Sequence, residues 1–175
     1  MIRLLQPDLY VRSLCDIPLA LLKARGIRGL IIDLDNTVTA WGRATLDRGV
    51  RHWFADLKEQ GLRACLVSNN RSGRVKKVAD ALGIPGISRA GKPRRRAFRQ
   101  AMAVMETEAG STAVIGDQVF TDILGGNRLG LYTVLVMPIN SREFIGTRMM
   151  RHVERLFTRH LPVADLSGYD KRPLA

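Results

Sequence analysis

The chain contains two cysteines, Cys15 and Cys65, each inside an apolar stretch. Two such thiols offer neither a disulfide framework nor a cysteine metal site, and they favour a reducing, cytoplasmic setting. Glycine-rich dinucleotide fingerprints and P-loops do not follow any apolar run, so nucleotide-cofactor chemistry is unsupported. Long hydrophobic runs are missing too. Pro7, Asp8 and Asp16 interrupt the N-terminal segment before it reaches signal-peptide length, and nothing later is long enough to span a bilayer. Acidic residues are scarce beside basic ones, 16 against 28, which leaves a formal net charge of +12. That excess attracts anions, whether phosphorylated metabolites, nucleic acid or an acidic lipid surface.

What is present begins with Gly29-Leu30-Ile31-Ile32-Asp33-Leu34-Asp35-Asn36-Thr37. A short β-branched run after Gly26 and Gly29 reads as a buried strand that delivers two carboxylates into a loop. Parallel α/β sheets place their chemistry outside the carboxyl ends of the strands, where Asp33 and Asp35 would lie. Closely spaced carboxylates suit a hard cation such as Mg²⁺, or a nucleophile and a proton carrier. A calcium loop is disfavoured, because Val38 and Ala44 stand where that loop needs glycine and glutamate.

The same logic recurs downstream. Pro18 to Gly26 has the proline-first, glycine-last asymmetry of a short helix, whereas residues 1–15 read as irregular. Val50, Trp53, Phe54 and Leu57 mark one helix face closed by Gly61; Leu62–Val67 reads as a strand running into Ser68-Asn69-Asn70. Val75, Val78, Ala79 and Leu82 form a second helix face, and a brief apolar piece from Ile84 to Ile87 leads to Lys92-Pro93. A further helix near Pro93 turns Phe98, Ala101, Met102 and Met105 inward. Strands follow at Ala113–Ile115, ending in Gly116-Asp117 through Asp122, and at Leu131–Val136. Strands alternating with helices predict one α/β domain over residues 1–175, a parallel sheet with helices on both faces.

Asp33-x-Asp35-x-Thr37, Ser68, Lys92 and Gly116-Asp117 through Asp122 resemble, in order and context, the four motifs of the haloacid dehalogenase superfamily. With Ser68-Asn-Asn70, Lys92-Pro93 and Gly125-Gly-Asn-Arg128 included, the chain is similar to the YqeG-type, subclass IIIA phosphatases of that superfamily. The resemblance implies a Rossmann-like fold and hydrolysis of a phosphate monoester with Mg²⁺. Asp33 would be the nucleophile and Asp35 the acid and base. Ser68, Lys92 and Asn69 would serve the phosphate, although Asn69 and Asn70 are read first as turn residues in left-handed conformation. Metal ligands would be Asp33, Asp117 and the Asp35 carbonyl, with Asp122 an outer-shell or alternate ligand. Thr37 would hold the loop through its hydroxyl.

Spacing leaves no room for a separate cap domain. An open site points to a large or surface-bound substrate, or to a covering partner such as a second copy of the chain. Related mitochondrial enzymes act on phosphatidylglycerophosphate, which such a site would suit. A last helix, roughly Ile145 to His160, sets Arg148, Arg151, Arg155 and Arg159 beside an apolar stripe, a pattern that could rest against an acidic membrane. A non-catalytic phosphate- or nucleic-acid-binding protein is the competing class. Arg89, Lys92, Arg94, Arg95, Arg96 and Arg99 would be its phosphate-tracking patch, but no groove-entering motif or aromatic platform accompanies them.

Overall fold

The computed structural model describes residues 2–70, 73–140, 162–164 and 166. Six strands, β1 (Leu9–Val11), β2 (Gly29–Ile32), β3 (Arg63–Val67), β4 (Gly86–Ile87), β5 (Thr112–Gly116) and β6 (Tyr132–Val136), form one sheet. Their spatial order is β1-β6-β5-β2-β3-β4, and every neighbouring pair is parallel. The chain builds from β2 through β3 to β4, then returns to the far side of β2 with β5 and β6. Its direction of winding therefore reverses between β2 and β5. Crevices form at such a reversal because the helices on either side lead away to opposite faces of the sheet.

Side-chain alternation along the strands explains why helices cover both faces. Leu30 and Ile32 point to one side, where they meet Leu22 of α1 (Leu19–Ala24), Trp53, Phe54 and Leu57 of α2 (Arg48–Glu59), and Val75 and Val78 of α3 (Arg74–Leu82). Ile31, Cys65, Val67 and Val114 point to the other, against Ala97, Phe98, Ala101 and Met105 of α4 (Arg95–Met105). The helix faces predicted from spacing are the buried ones. Asp47 caps α2 by accepting from Gly49 N at 2.8 Å, and α3 ends at Gly83 in left-handed conformation, φ 65°. Among the described residues, the intervals between Asp35 and Ser68 and between Ser68 and Lys92 hold no lid domain.

Two stretches differ from the expectation. The N-terminal segment is not wholly irregular: β1 pairs with β6, and Asp8 N donates to Thr133 O (2.9 Å) while Thr133 N donates to Asp8 Oδ2 (2.8 Å). A strand of three residues is too short to display a period of two. On the open side of β1, Ala164 N donates to Tyr10 O at 2.8 Å, and Ala164 and Leu166 pack on the core. After β5, Val119–Ile123 forms a π-helical turn that runs into α5 (Leu124–Asn127). The expected basic helix from Ile145 to His160 lies outside the described residues.

Candidate active site

Asp33 is the first residue beyond β2, and its N–H still bonds Ile115 O at 2.9 Å, so the sheet fixes its backbone. Three residues on, the chain reverses at Asn36, which takes φ 61° and is 2% exposed. Asn36 N donates to Thr39 O (2.7 Å), while its Oδ1 and carbonyl accept from Trp41 N (3.2 Å) and Ile139 N (3.1 Å). This turn holds Asp35 over the end of the sheet. Among these asparagines the left-handed one is Asn36, in place of the expected Asn69 or Asn70. The Thr37 hydroxyl, expected to tie the loop, has no hydrogen-bond partner among the described residues; Thr39 Oγ1 does that work, donating to Arg43 O at 3.0 Å.

Lys92 occupies the centre. Its Nζ lies 2.5 Å from Asp33 Oδ1 and 2.6 Å from Asp122 Oδ1, with all three side chains buried. Asn69 positions this lysine: its Oδ1 accepts from Lys92 N (2.7 Å) and its Nδ2 donates to Lys92 O (3.2 Å). The Asn69 amide is accordingly spent on Lys92's backbone, while the residue still lines the cavity. Asp122 Oδ2 accepts from Gln118 N and Thr121 Oγ1, both at 3.3 Å. Ser68 Oγ accepts from Asn70 N (3.1 Å) and donates to Asp35 Oδ2 (3.4 Å).

A residue the sequence did not flag completes the set. Arg74, the first residue of α3, places Nη1 2.7 Å from Asp35 Oδ1. Each of the two carboxylates after β2 therefore has its own cation, Lys92 on Asp33 and Arg74 on Asp35. The signal available in the sequence was a basic residue opening the helix after Ser68, which many surface helices share.

Burial raises the Asp33 carboxyl to about 7; Lys92 opposes this, and Asp122 and Asp35 add to it. Burial works against the Lys92 ammonium, yet Asp122 and Asp33 outweigh it and raise its pKa above the ordinary lysine value. The lysine stays charged. Carboxylate oxygens of Asp33, Asp117 and Asp122 all lie within 4.8 Å of one another, and all three residues are buried. Hard oxygen donors at that spacing fit a divalent cation that prefers carboxylates.

A cavity of about 280 Å³ opens over these groups, lined by Asp33, Asp35, Ser68, Asn69 and Lys92 among others, with Trp41 and Thr121 at its rim. Such a volume accepts a phosphate and a little more. All the expected site residues therefore meet at the reversal point, Asp117 and Asp122 through the carboxylate cluster.

The HAD-hydrolase-like family matches residues 89–138, and the mitochondrial PGP phosphatase family matches residues 2–83. A Bacillus subtilis protein named "Probable phosphatase YqeG" is 44% identical over 149 residues, covering 85% of this chain and 87% of that protein. The chain belongs to the YqeG-type phosphatases of the haloacid dehalogenase superfamily. Chlamydomonas reinhardtii phosphatidylglycerophosphate phosphatase 1, chloroplastic, is 31% identical over 166 residues, covering 85% of this chain and 62% of that protein. In fold, the chain resembles 3-deoxy-D-manno-octulosonate 8-phosphate phosphatase from Yersinia pestis, with a TM-score of 0.52 at 18% identity over 78% of this chain and 83% of that one. In this YqeG-type phosphatase the acidic cluster and the buried lysine meet at the end of the sheet, with Asp33 and Lys92 lining the cavity.

Proposed function

We propose that this phosphatase is a Mg²⁺-dependent phosphomonoester hydrolase that works through an aspartyl phosphate and acts on phosphatidylglycerophosphate presented by a membrane. The observation that carries the reading is buried Lys92 Nζ held between Asp33 and Asp122, beside the Asp117 carboxylate, in the lining of a phosphate-sized cavity. Asp33, Asp117 and the Asp35 carbonyl would hold Mg²⁺, with Asp122 as outer-shell or alternate ligand. Bound there, the ion offsets the charge on the phosphate oxygens and on Asp33.

Asp33 Oδ attacks phosphorus, the bond from phosphorus to the leaving oxygen breaks, and Asp35 gives that oxygen its proton. Water then attacks phosphorus while Asp35 takes the water's proton; the bond to Asp33 breaks and inorganic phosphate departs. Lys92, and Ser68 with the nearby amides, stabilise charge that grows on the transferred group. Asn69 and Asp122 hold Lys92 in place for this, and the second N–H of Asn69 Nδ2, not used on the Lys92 carbonyl, can donate to the phosphate. Arg74 must share Asp35 with the incoming ester, since its guanidinium is a natural phosphate partner.

The substrate assignment draws on the similarity to the Chlamydomonas reinhardtii phosphatidylglycerophosphate phosphatase and on the lack of a lid domain among the described residues between Asp35 and Lys92. The basic stripe Arg148, Arg151, Arg155 and Arg159 and the net charge of +12 favour peripheral contact with an acidic bilayer on its cytoplasmic side.

Purified protein should release phosphate from phosphatidylglycerophosphate, lose activity on chelation and regain it with added Mg²⁺. Asp33→Asn should abolish turnover and the acid-stable phosphoprotein while leaving the protein folded, as read by circular dichroism. Wild-type rates from the Asn variant, or full activity in a verified metal-free preparation, would reject the mechanism.

A further inference from the structure

The net charge is not spread evenly over the molecule. In a parallel sheet, all strand C-termini and the N-termini of the helices that follow lie at one edge, here the edge of the active site. Exposed Arg43 and Arg48 flank the start of α2, and exposed Arg89, Arg94, Arg95 and Arg96 flank the start of α4. The exposed carboxylates Glu59, Asp80 and Glu106, with half-buried Asp56, belong to the last turns of α2 and α3 and the end of α4, at the opposite edge. Two of them are already paired there, Asp80 with Lys76 (2.7 Å) and Glu106 with Arg63 (2.6 Å). Exposed Asp16 and Asp47 also lie on the catalytic side, but the arginines outnumber them and leave that edge cationic.

Two further features share that edge. The first is a groove of about 330 Å³ lined by Ser88, Arg89, Arg94, Arg96 and Gln100. Its wall is the loop before Lys92, whose other side is bonded to the Ser68 loop through Ala90 N to Ser68 O (3.1 Å) and Arg89 N to Asn70 O (3.0 Å). One loop thus separates an arginine groove from the phosphate cavity. The second is an apolar lip. Trp41 is 45% exposed and Ile139 is 52% exposed, and both backbones are bonded to Asn36, the residue after Asp35. Met137, also exposed, precedes Ile139 on the exit of β6. Large apolar side chains left in water beside a ring of arginines match a bilayer interface, where indole and aliphatic groups enter among headgroups and guanidinium groups pair with phosphates.

We infer that the catalytic edge is a docking surface for an acidic phospholipid bilayer, with Trp41 and Ile139 entering the headgroup layer and the Arg89–Arg94–Arg96 groove holding one lipid phosphate. The surface rests on the membrane-substrate reading above and adds to it: the phosphate cavity opens onto the membrane, and a neighbouring lipid serves as anchor while the substrate lipid sits in the cavity. Charge complementarity selects an anionic bilayer over a neutral one, and the apolar lip selects a bilayer over a nucleic acid, whose phosphates would leave that lip wet.

Trp41 provides the readout. The second tryptophan, Trp53, is buried and donates its Nε1 to Ile17 O at 3.0 Å, so changes in emission on binding report Trp41. Full-length protein is mixed at low salt with vesicles of phosphatidylcholine alone or with phosphatidylglycerol added, both carrying bromine-labelled acyl chains. Blue-shifted, quenched Trp41 emission is expected only with phosphatidylglycerol, and it should fade as salt is raised. The triple variant Arg89→Gln, Arg94→Gln, Arg96→Gln should weaken vesicle binding on the order of a hundredfold. A charge-matched control at the other edge, Lys23→Gln, Arg28→Gln, Lys58→Gln, should bind almost as well as wild type. Equal loss in both triples would overturn the inference, because net charge alone would then explain binding. Unquenched Trp41 in bound protein, or tighter binding to an oligoribonucleotide than to the vesicles, would also overturn it. Binding is read without turnover, so quenching without hydrolysis of phosphatidylglycerophosphate refutes the substrate and keeps the surface, while hydrolysis of dispersed substrate without quenching does the reverse.

Discussion

Lys92 is the side chain on which the acidic cluster depends, because three buried carboxylates at mutual distances below 4.8 Å repel one another strongly without a cation. Breaking a buried ion pair by removing one partner costs about 3–5 kcal/mol. Lys92→Met should therefore lower stability by about that amount in chelator, and added Mg²⁺ should raise its melting temperature far more than it raises that of the wild type. Urea titrations with chelator and with Mg²⁺ check this; an unchanged midpoint in chelator would show that the cluster tolerates its own charge. The carboxylates were legible in the sequence because each follows an apolar strand, and so were Ser68 and Lys92 by their order. Arg74, Asn36 and the Asn69 clamp were not. Their roles depend on which way a turn and a helix start are aimed, and no spacing along the chain records that.

Elements meet the site through glycine. A Cβ on Gly116 would lie 2.3 Å from Asp122 Cγ, and one on Gly126 would lie 2.3 Å from Val114 Cγ1. Both sites forbid a methyl group, but only the first touches the acidic cluster. Overpacking of this kind costs about 1–3 kcal/mol. Gly116→Ala and Gly126→Ala should both melt early, whereas activity per folded molecule should fall steeply only for Gly116→Ala. Comparable specific activities below both melting transitions would separate Asp122 from the site. Helices α2, α3 and α4 could be read from their spacing and β2, β3, β5 and β6 as apolar runs, with β4 only a brief apolar piece; the π-helical turn and α5 carried no such signal. β1 was hidden because three residues carry no pattern, and its pairing with β6 rests on the distant Asp8–Thr133 exchange.

At the scale of the whole chain, both principal apolar clusters rest on opposite faces of the same strands, so neither face can open without uncovering the other. We therefore expect residues 1–175 to unfold as one domain, in a single denaturant transition by fluorescence and circular dichroism. Cys65 follows that transition. It is buried, which pushes its thiol up to about 12, and it should react with maleimide only as the protein unfolds, whereas exposed Cys15 reacts in the native state. Two separated transitions, or early labelling of Cys65, would divide the chain into more than one cooperative unit.

The backbone bond from Ala164 to Tyr10 also bears on solubility. An open sheet has two free margins, each a template on which another chain can add a strand. At β4 the margin is only two residues long and offers little purchase. At β1 the margin is occupied by the segment around Ala164, which returns from more than a hundred residues away in sequence and covers it. Deleting residues 162–175 would uncover that margin beside the core. The truncated protein should form concentration-dependent multimers in size-exclusion chromatography where the full chain does not, and Tyr10→Pro, which stiffens the uncovered strand and spoils its geometry for pairing, should reduce them.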